Sequence, residues 1–99
     1  MNYELVKELK DAGLEQVGWG HFICEHNQVE ILCPNKCAEE TYCYRPTLSE
    51  LIDACGEEFN SLYRIEKGWA VAGGGRIFGA VRKGKTPSEA VARLWLALQ

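Results

Sequence analysis

Residues 86–98 constrain the fold of this chain more than any other segment. They open with Thr-Pro-Ser-Glu, in which the Thr86 hydroxyl can accept the Glu89 backbone N–H while the Glu89 carboxylate reaches back to Thr86, a capping box. Pro87 stands at the first helical position, which tolerates its missing N–H. Apolar side chains then recur at the spacing of one helical face: Val91, Leu94, Trp95 and Leu98. Because such a face must be buried, we expect this helix to pack on a sheet.

Two earlier segments are also predicted to be helical. Residues 2–12 carry an apolar stripe opposite a charged one, and Gly13 supplies a residue able to end the helix. The second helix begins with another capping box, between Thr47 and Glu50, and stops at Gly56. Its expected buried stripe is Leu48, Leu51, Ile52 and Cys55.

The strand patterns fall in two groups. Residues 19–24 and 29–33 predict a hairpin, and residues 42–44 a short strand. A three-stranded meander is predicted from residues 61–65, 69–72 and 76–82. Together the elements predict an α+β fold: an antiparallel sheet of about four or five strands packed with two or three helices, the C-terminal helix on the sheet. The 99 residues are expected to form a single domain, 1–99.

Charge and cysteine content suggest a compartment and a type of partner. Residues 1–67 carry six Lys/Arg against thirteen Asp/Glu, net −7, whereas residues 68–99 carry five against one, net +4. There are five cysteines, an odd number, and neither a secretory leader nor a long apolar run is evident. We therefore expect a cytoplasmic protein with reduced thiols and no membrane association.

Two stretches resemble a family of small uncharacterised proteins encoded by bacteriophages and prophages. They are Pro-Thr-Leu-Ser-Glu-Leu-Ile-Asp-Ala-Cys-Gly at residues 46–56 and Gly-Lys-Thr-Pro-Ser-Glu-Ala-Val-Ala-Arg-Leu-Trp-Leu-Ala-Leu at residues 84–98. The order of elements is also similar to the phage αβα-sandwich domains, and the ending bears a short likeness to antitoxin domains of HicB type. The resemblance implies a phage or prophage origin, a host-cell cytoplasm and an α+β fold, but no activity. The Cys-rich residues 33–43 depart from the family pattern.

A zinc site is one interpretation of that Cys-rich segment. Cys33, Cys37 and Cys43 would supply three thiolates, with Cys24 or His26 as the fourth ligand. The spacing between Cys33 and Cys37 suits zinc, but no second tight pair follows. Free thiols are the alternative, and no other cofactor is predicted.

The histidines offer little for catalysis. A nucleophile needs a base beside it, and His21 and Cys24 are three residues apart, so on a strand they point to opposite faces. His26 suits a turn. The sequence also contains no carboxylate pair or triad in a recognisable arrangement, so we do not predict an enzyme.

The glycine run at residues 73–75 and the segment that follows form the candidate binding site. Glycine N–H groups such as that of Gly74 can hold a phosphate, although here they lead into a predicted strand and favour a hairpin tip. On a strand at residues 76–82, Arg76, Phe78 and Arg82 would share one face. An aromatic between two arginines is typical of nucleotide-stacking surfaces and of protein interfaces. A solvated edge is the alternative.

These features support three hypotheses about function. The acidic residues 1–67 and the phage resemblance favour a non-enzymatic protein that binds a host protein and inhibits or modulates a nucleic-acid-handling or defence system. One alternative is a small-ligand or nucleotide-binding domain with a pocket between sheet and helix. The other is an interaction module with structural zinc. Binding of nucleic acid and formation of a homodimer are left open.

Overall fold

The computed structural model describes residues 2–15, 20–24, 30–33 and 42–99. The chain divides into two compact units, Met1–Pro46 and Thr47–Gln99. The helices and strands of the described residues are α1 (Tyr3–Asp11), β1 (Gly20–Cys24), β2 (Glu30–Cys33), β3 (Tyr42–Arg45), α2 (Leu48–Cys55), β4 (Phe59–Ile65), β5 (Gly68–Gly73), β6 (Val81–Gly84) and α3 (Pro87–Ala97).

The first unit joins α1 to a small antiparallel sheet. The Asn2 side chain accepts the Leu5 N–H at 2.9 Å and so caps the helix, whose C-terminal end is followed by Gly13 at φ +99°. The sheet has the strand order β2-β1-β3, and the predicted first hairpin is confirmed as β1 and β2. Val6, Ile23 and Cys43 form its buried cluster.

The second unit is built on a meander with the strand order β4-β5-β6. Its central strand contributes Ala70 and Val71, both almost fully buried. α3 packs on β5 and β6, and α2 packs against α3. The predicted apolar face of α3 is confirmed at Val91, Leu94 and Trp95, since these side chains are buried.

The third strand of the meander was predicted at residues 76–82, and this prediction is wrong. The chain instead forms a 3-10 turn at Gly75–Ile77, and β6 begins only at Val81. Glycine permits this detour, because Gly75 adopts φ +55° and Gly79 φ +92°. The tight turn also brings Ile77 so close to Gly73 that a Cβ there would lie 2.7 Å from the Ile77 carbonyl oxygen.

The two predicted capping boxes have different outcomes. At α2 both bonds form: the Glu50 N–H donates to the Thr47 hydroxyl, and the Thr47 N–H donates to the Glu50 carboxylate. At α3 the Glu89 N–H donates to the Thr86 hydroxyl as predicted, but the Glu89 carboxylate accepts the N–H of Lys85 rather than that of Thr86. The second capping box is therefore incomplete: Thr86 caps the helix with its hydroxyl, but the Glu89 carboxylate binds the backbone of Lys85, the residue before Thr86.

The α+β class and the C-terminal helix on an antiparallel sheet are confirmed. The sheet itself differs from the prediction of about four or five strands, because the described strands form two sheets of three strands each. The alternation of apolar residues predicts where strands lie in the sequence. It does not indicate whether strands from the two halves of the chain pair in one sheet. No helix in the described part of the chain is long and apolar enough to cross a membrane.

Candidate functional site

A basic cleft lies in the second unit where the turn between β4 and β5, the end of β6 and α3 come together. Its volume is about 370 Å³ and it is open to solvent. The lining residues are Ile65, Lys67, Lys83, Gly84, Lys85 and Arg93. Four of these six carry a positive charge.

Strand pairing brings these cations together from distant parts of the sequence. Ile65 pairs with Gly68 at the tip of the β4–β5 hairpin, which places Lys67 in the turn between them. Trp69 pairs with Gly84, so the end of β6 lies beside that turn. Lys83 and Lys85 flank this pair, and both are exposed.

Gly84 allows α3 to approach β6 closely. A Cβ at this position would lie 2.5 Å from the Ala90 backbone nitrogen and 2.7 Å from the Glu89 Cβ. Only a residue without a side chain fits against the first turn of the helix here. This close contact brings Arg93, one turn further along α3, to the strand, where its guanidinium donates to the Lys83 carbonyl oxygen at 3.0 Å.

Glu89 contacts two of the lining residues, and its carboxylate is largely occupied. One carboxylate oxygen accepts the Lys85 N–H at 3.1 Å, and the other lies 3.5 Å from the Arg93 guanidinium. Only 7% of Glu89 is exposed. The lining residues include four cations and no carboxylate, so the lining itself carries an excess of positive charge.

Such a cleft is suited chemically to anions that carry several oxygen acceptors. Ammonium groups on flexible stems can converge on phosphate oxygens from several directions, and the Arg93 guanidinium adds the N–H donors that Lys83 and Glu89 leave unused. The backbone already holds the Arg93 side chain in place through Lys83, so less side-chain entropy is lost on binding. A phosphate group is the anion that uses this arrangement most fully.

The structure separates the residues predicted to bind a ligand or partner. Arg76 lies in the 3-10 turn and pairs with the Glu58 carboxylate at 2.9 Å. Phe78 is the residue after this turn and is 82% exposed. Arg82 lies on β6 and donates to the Val81 carbonyl oxygen. Gly74 is buried, and its N–H donates to the Glu58 carbonyl oxygen, so that N–H already has a partner. The common strand face expected for Arg76, Phe78 and Arg82 is wrong because the strand does not begin until Val81.

The structure gives strand positions for three of the predicted zinc ligands, Cys24, Cys33 and Cys43. Cys33 pairs with Gly20 at one end of β1, whereas Cys24 is at the other end, four residues or about 13 Å along the strand. Cys43, opposite Ile23, is 2% exposed in the apolar cluster of the first unit.

Two further candidate ligands, Cys37 and His26, lie outside the described residues. The described residues contain no group of three His, Cys, Asp or Glu side chains placed to hold a metal ion.

Cys55 is a buried residue of α2 on the side that packs against α3. Burial, and to a smaller degree the nearby Glu58 carboxylate, raises its pKa from 9.0 to about 11. The thiol is therefore protonated at neutral pH and is a poor nucleophile. It acts as a core residue whose Sγ lies 4.0 Å from the Val91 carbonyl oxygen.

Sequence reasoning did not identify the basic cleft, although a signal was present. Residues 68–99 carry a net +4, and the segment Arg-Lys-Gly-Lys at residues 82–85 accounts for much of it. Alignment of the end of the third predicted strand with the start of the second would have placed this segment beside the turn that contains Lys67. With the third strand placed at residues 76–82, Lys83 and Lys85 fell beyond it.

Comparisons of this chain with models of protein families, with curated proteins and with solved structures find no match.

Proposed function

We propose that this protein is a non-enzymatic binding protein that holds a small phosphate-bearing ligand in the basic cleft. The observation that carries the proposal is the convergence of Lys67, Lys83, Lys85 and Arg93 around a space of about 370 Å³. This volume falls in the range of roughly 300–1,000 Å³ usual for small-ligand sites. It corresponds to the sequence-based alternative of a ligand pocket between sheet and helix.

The overall charge supports a small anion rather than a long polyanion. The chain as a whole is acidic, at net −3, so the positive field is local to the cleft. Affinity for a nucleic-acid backbone grows with the number of phosphates neutralised, which requires basic groups spread over a longer surface.

The test is isothermal titration with inorganic tripolyphosphate at low ionic strength. We expect binding that weakens as salt is added, because exposed charges are screened within about 10 Å at 0.1 M. Lys83→Gln should weaken binding by about threefold to fivefold, since one partly exposed charge pair contributes up to ~1 kcal/mol.

Arg82→Gln is the matched control. Arg82 precedes Lys83 on the same strand, carries the same charge and is also exposed, but it does not line the cleft. Equal losses of affinity in Lys83→Gln and Arg82→Gln would mean that only the net charge of the protein matters, and would contradict an anion site in the cleft. No heat of binding for the unaltered protein would also contradict it.

A binding role without turnover is the second half of the proposal. It is supported by the pairing of Glu89 with Lys85 and Arg93, which leaves this carboxylate without a role as a general base. Incubation with nucleoside triphosphates, tripolyphosphate and phosphate esters should release no inorganic phosphate. Release that Lys83→Gln abolishes would overturn this half and make the cleft an active site.

A protein partner is a second candidate function, favoured by one separate observation. Phe78 is 82% exposed and the side chain of Arg76 81%, and aromatic and arginine side chains together are typical of interface anchors. The partner would be a host protein if the chain is of phage or prophage origin and acts in the host cytoplasm, as its resemblance implies, or a second copy of this chain.

Affinity capture from a bacterial lysate, with Phe78→Ser as the matched bait, tests the host partner. Recovery of one protein by the unaltered bait alone supports it, whereas identical recovery by both baits contradicts it. Sedimentation of the two baits tests the homodimer in the same way.

A further inference from the structure

An exposed aromatic side chain lies next to the basic cleft on the same face of the sheet. Tyr63 pairs with Ala70, and Ala70 pairs with Lys83, so the three form one cross-strand row. Tyr63 is also two residues from Ile65 on β4, and residues two apart on a strand share a face. Lys83 and Ile65 both line the cleft, so Tyr63, which does not line it, shares a face of the sheet with two residues that do.

Tyr63 is accessible although it is a large side chain in the middle of a strand. It is 42% exposed, whereas Ala70, the central member of its row, is only 1% exposed. Tyr63 and Lys83 therefore rise on either side of a small residue, about 10 Å apart across two strand spacings. The aromatic side chain and the lysine therefore flank one covered small residue on the same face of the sheet.

We infer that the ligand of the cleft is a free nucleotide, whose base stacks on Tyr63 while its phosphates bind the lysines and Arg93. The inference rests on the proposed function, since it names the ligand of the same site. A nucleobase presents a flat π surface that stacks on aromatic side chains, and the attached phosphates carry the charge that the cleft requires. A purely inorganic anion would use the cleft and leave Tyr63 without a role.

The placement of the exposed aromatic side chains favours a free nucleotide over a single strand of nucleic acid. Binding of a strand requires several aromatic side chains in succession along a basic groove. In the described residues the other exposed aromatic of this unit, Phe78, is in the turn before β6, and neither it nor Arg76 lines the cleft. One aromatic beside one cluster of cations accommodates one nucleotide.

The experiment compares three ligands at a fixed low salt concentration: tripolyphosphate, adenosine triphosphate and short single-stranded oligothymidylates of two lengths. The variants are Tyr63→Leu, which removes the aromatic surface and keeps apolar bulk, and Tyr63→Phe, which keeps the ring. Phe78→Leu is the matched control, an exposed aromatic in the same unit away from the cleft.

We expect adenosine triphosphate to bind more tightly than tripolyphosphate. Tyr63→Leu should lower the affinity for adenosine triphosphate by roughly fivefold or more, the loss of one stacked base, with little change for tripolyphosphate. Tyr63→Phe should restore most of the affinity, and Phe78→Leu should leave both ligands unaffected. Far-UV circular dichroism of the variants establishes that each one is folded.

The outcomes separate this inference from the proposed function. If tripolyphosphate binds, but adenosine triphosphate gains nothing from its base or from Tyr63, the inference fails and the anion site stands. If neither ligand binds, the proposed function fails. If affinity for oligothymidylate exceeds that for adenosine triphosphate and rises with length, the ligand is a nucleic-acid strand and the assignment of a free nucleotide is overturned.

Discussion

At the scale of single residues, neighbouring positions on β6 have different roles because a strand alternates its faces. Lys83 shares its row with Tyr63 and lines the cleft, whereas Arg82 pairs with Val71 and does not. Two adjacent cations of similar exposure thus separate into one that serves the site and one that does not. This contrast makes Arg82 a suitable internal control for every test of the cleft.

Cys55 gives a prediction about pH. Its pKa is about 11 in the folded chain against 9.0 for an unperturbed thiol, so the folded state holds the proton more tightly than the unfolded state. The stabilisation is complete below pH 9 and is lost as the pH rises towards 11, by roughly 2–3 kcal/mol in total.

The measurement is the free energy of unfolding in guanidinium chloride at pH 8 and pH 10.5, for the unaltered protein and Cys55→Ala. Other groups titrate in this window, so the difference between the two proteins is the informative quantity. The unaltered protein should lose more stability on going to pH 10.5 than Cys55→Ala. Parallel losses would contradict a buried, protonated thiol.

Gly84 gives a prediction about packing. Gly84→Ala puts a Cβ 2.5 Å from the Ala90 nitrogen, so α3 must move away from β6. We expect a loss of about 1–3 kcal/mol in the free energy of unfolding, as for other overpacked contacts. Urea unfolding measures it, with Arg82→Ala as an exposed control expected to change stability by about 0.5 kcal/mol or less. Equal stabilities of the two variants would show that the helix does not approach the strand as described.

At the scale of elements, the start of α3 organises the cleft. The Thr86 cap fixes where the helix begins, and Glu89, three residues later, holds the Lys85 backbone and the Arg93 side chain. The acidic residue therefore restrains two of the groups that line the cleft. It also cancels part of their charge.

Glu89→Gln separates these two effects. The amide oxygen can still accept the Lys85 N–H, but the negative charge beside Arg93 is removed. We expect tripolyphosphate to bind about twofold to fivefold more tightly, by a gain of up to ~1 kcal/mol. Glu57→Gln is the matched control, because Glu57 is exposed near the start of β4, at the other end of that strand from the cleft. Weaker binding by Glu89→Gln alone would mean that the ion pair with Arg93 positions the site.

Local signals in the sequence predict the elements better than their pairing. Caps and apolar stripes depend on residues three or four apart, which is why the starts of α2 and α3 and the buried face of α3 follow from the sequence. The turn at Gly75–Ile77 does not, because it depends on close contact between Gly73 and Ile77 after the chain has folded back. The cleft was missed for the same reason, since its cations meet only through the register of β5 and β6.

At the scale of the whole molecule, the chain contains two compact units of similar size, Met1–Pro46 and Thr47–Gln99. Each has its own three-stranded sheet and a helix with buried apolar residues. Both units are small, and chains of about 60 residues or fewer bury a limited fraction of their surface.

This size leads to a prediction about cooperativity that tests the single-domain expectation. We expect one unfolding transition in urea, with the amide signals of α1 and α3 lost at the same midpoint, because neither unit is large enough to be expected to stay folded alone. Two-dimensional ¹H–¹⁵N spectra at increasing urea concentrations provide the measurement. Separate midpoints for the two helices would show that the chain comprises two independent domains.

The basic cleft is the feature on which the proposed function depends, and a titration of the ¹⁵N-labelled protein with tripolyphosphate at low salt tests it most directly. The backbone amides of Lys67, Lys83, Gly84, Lys85 and Arg93 should shift together and saturate with one affinity, while those of Arg76 and Phe78 stay in place. Shifts that spread over all basic residues without saturation, or that leave the cleft unchanged, would contradict an anion site in the cleft.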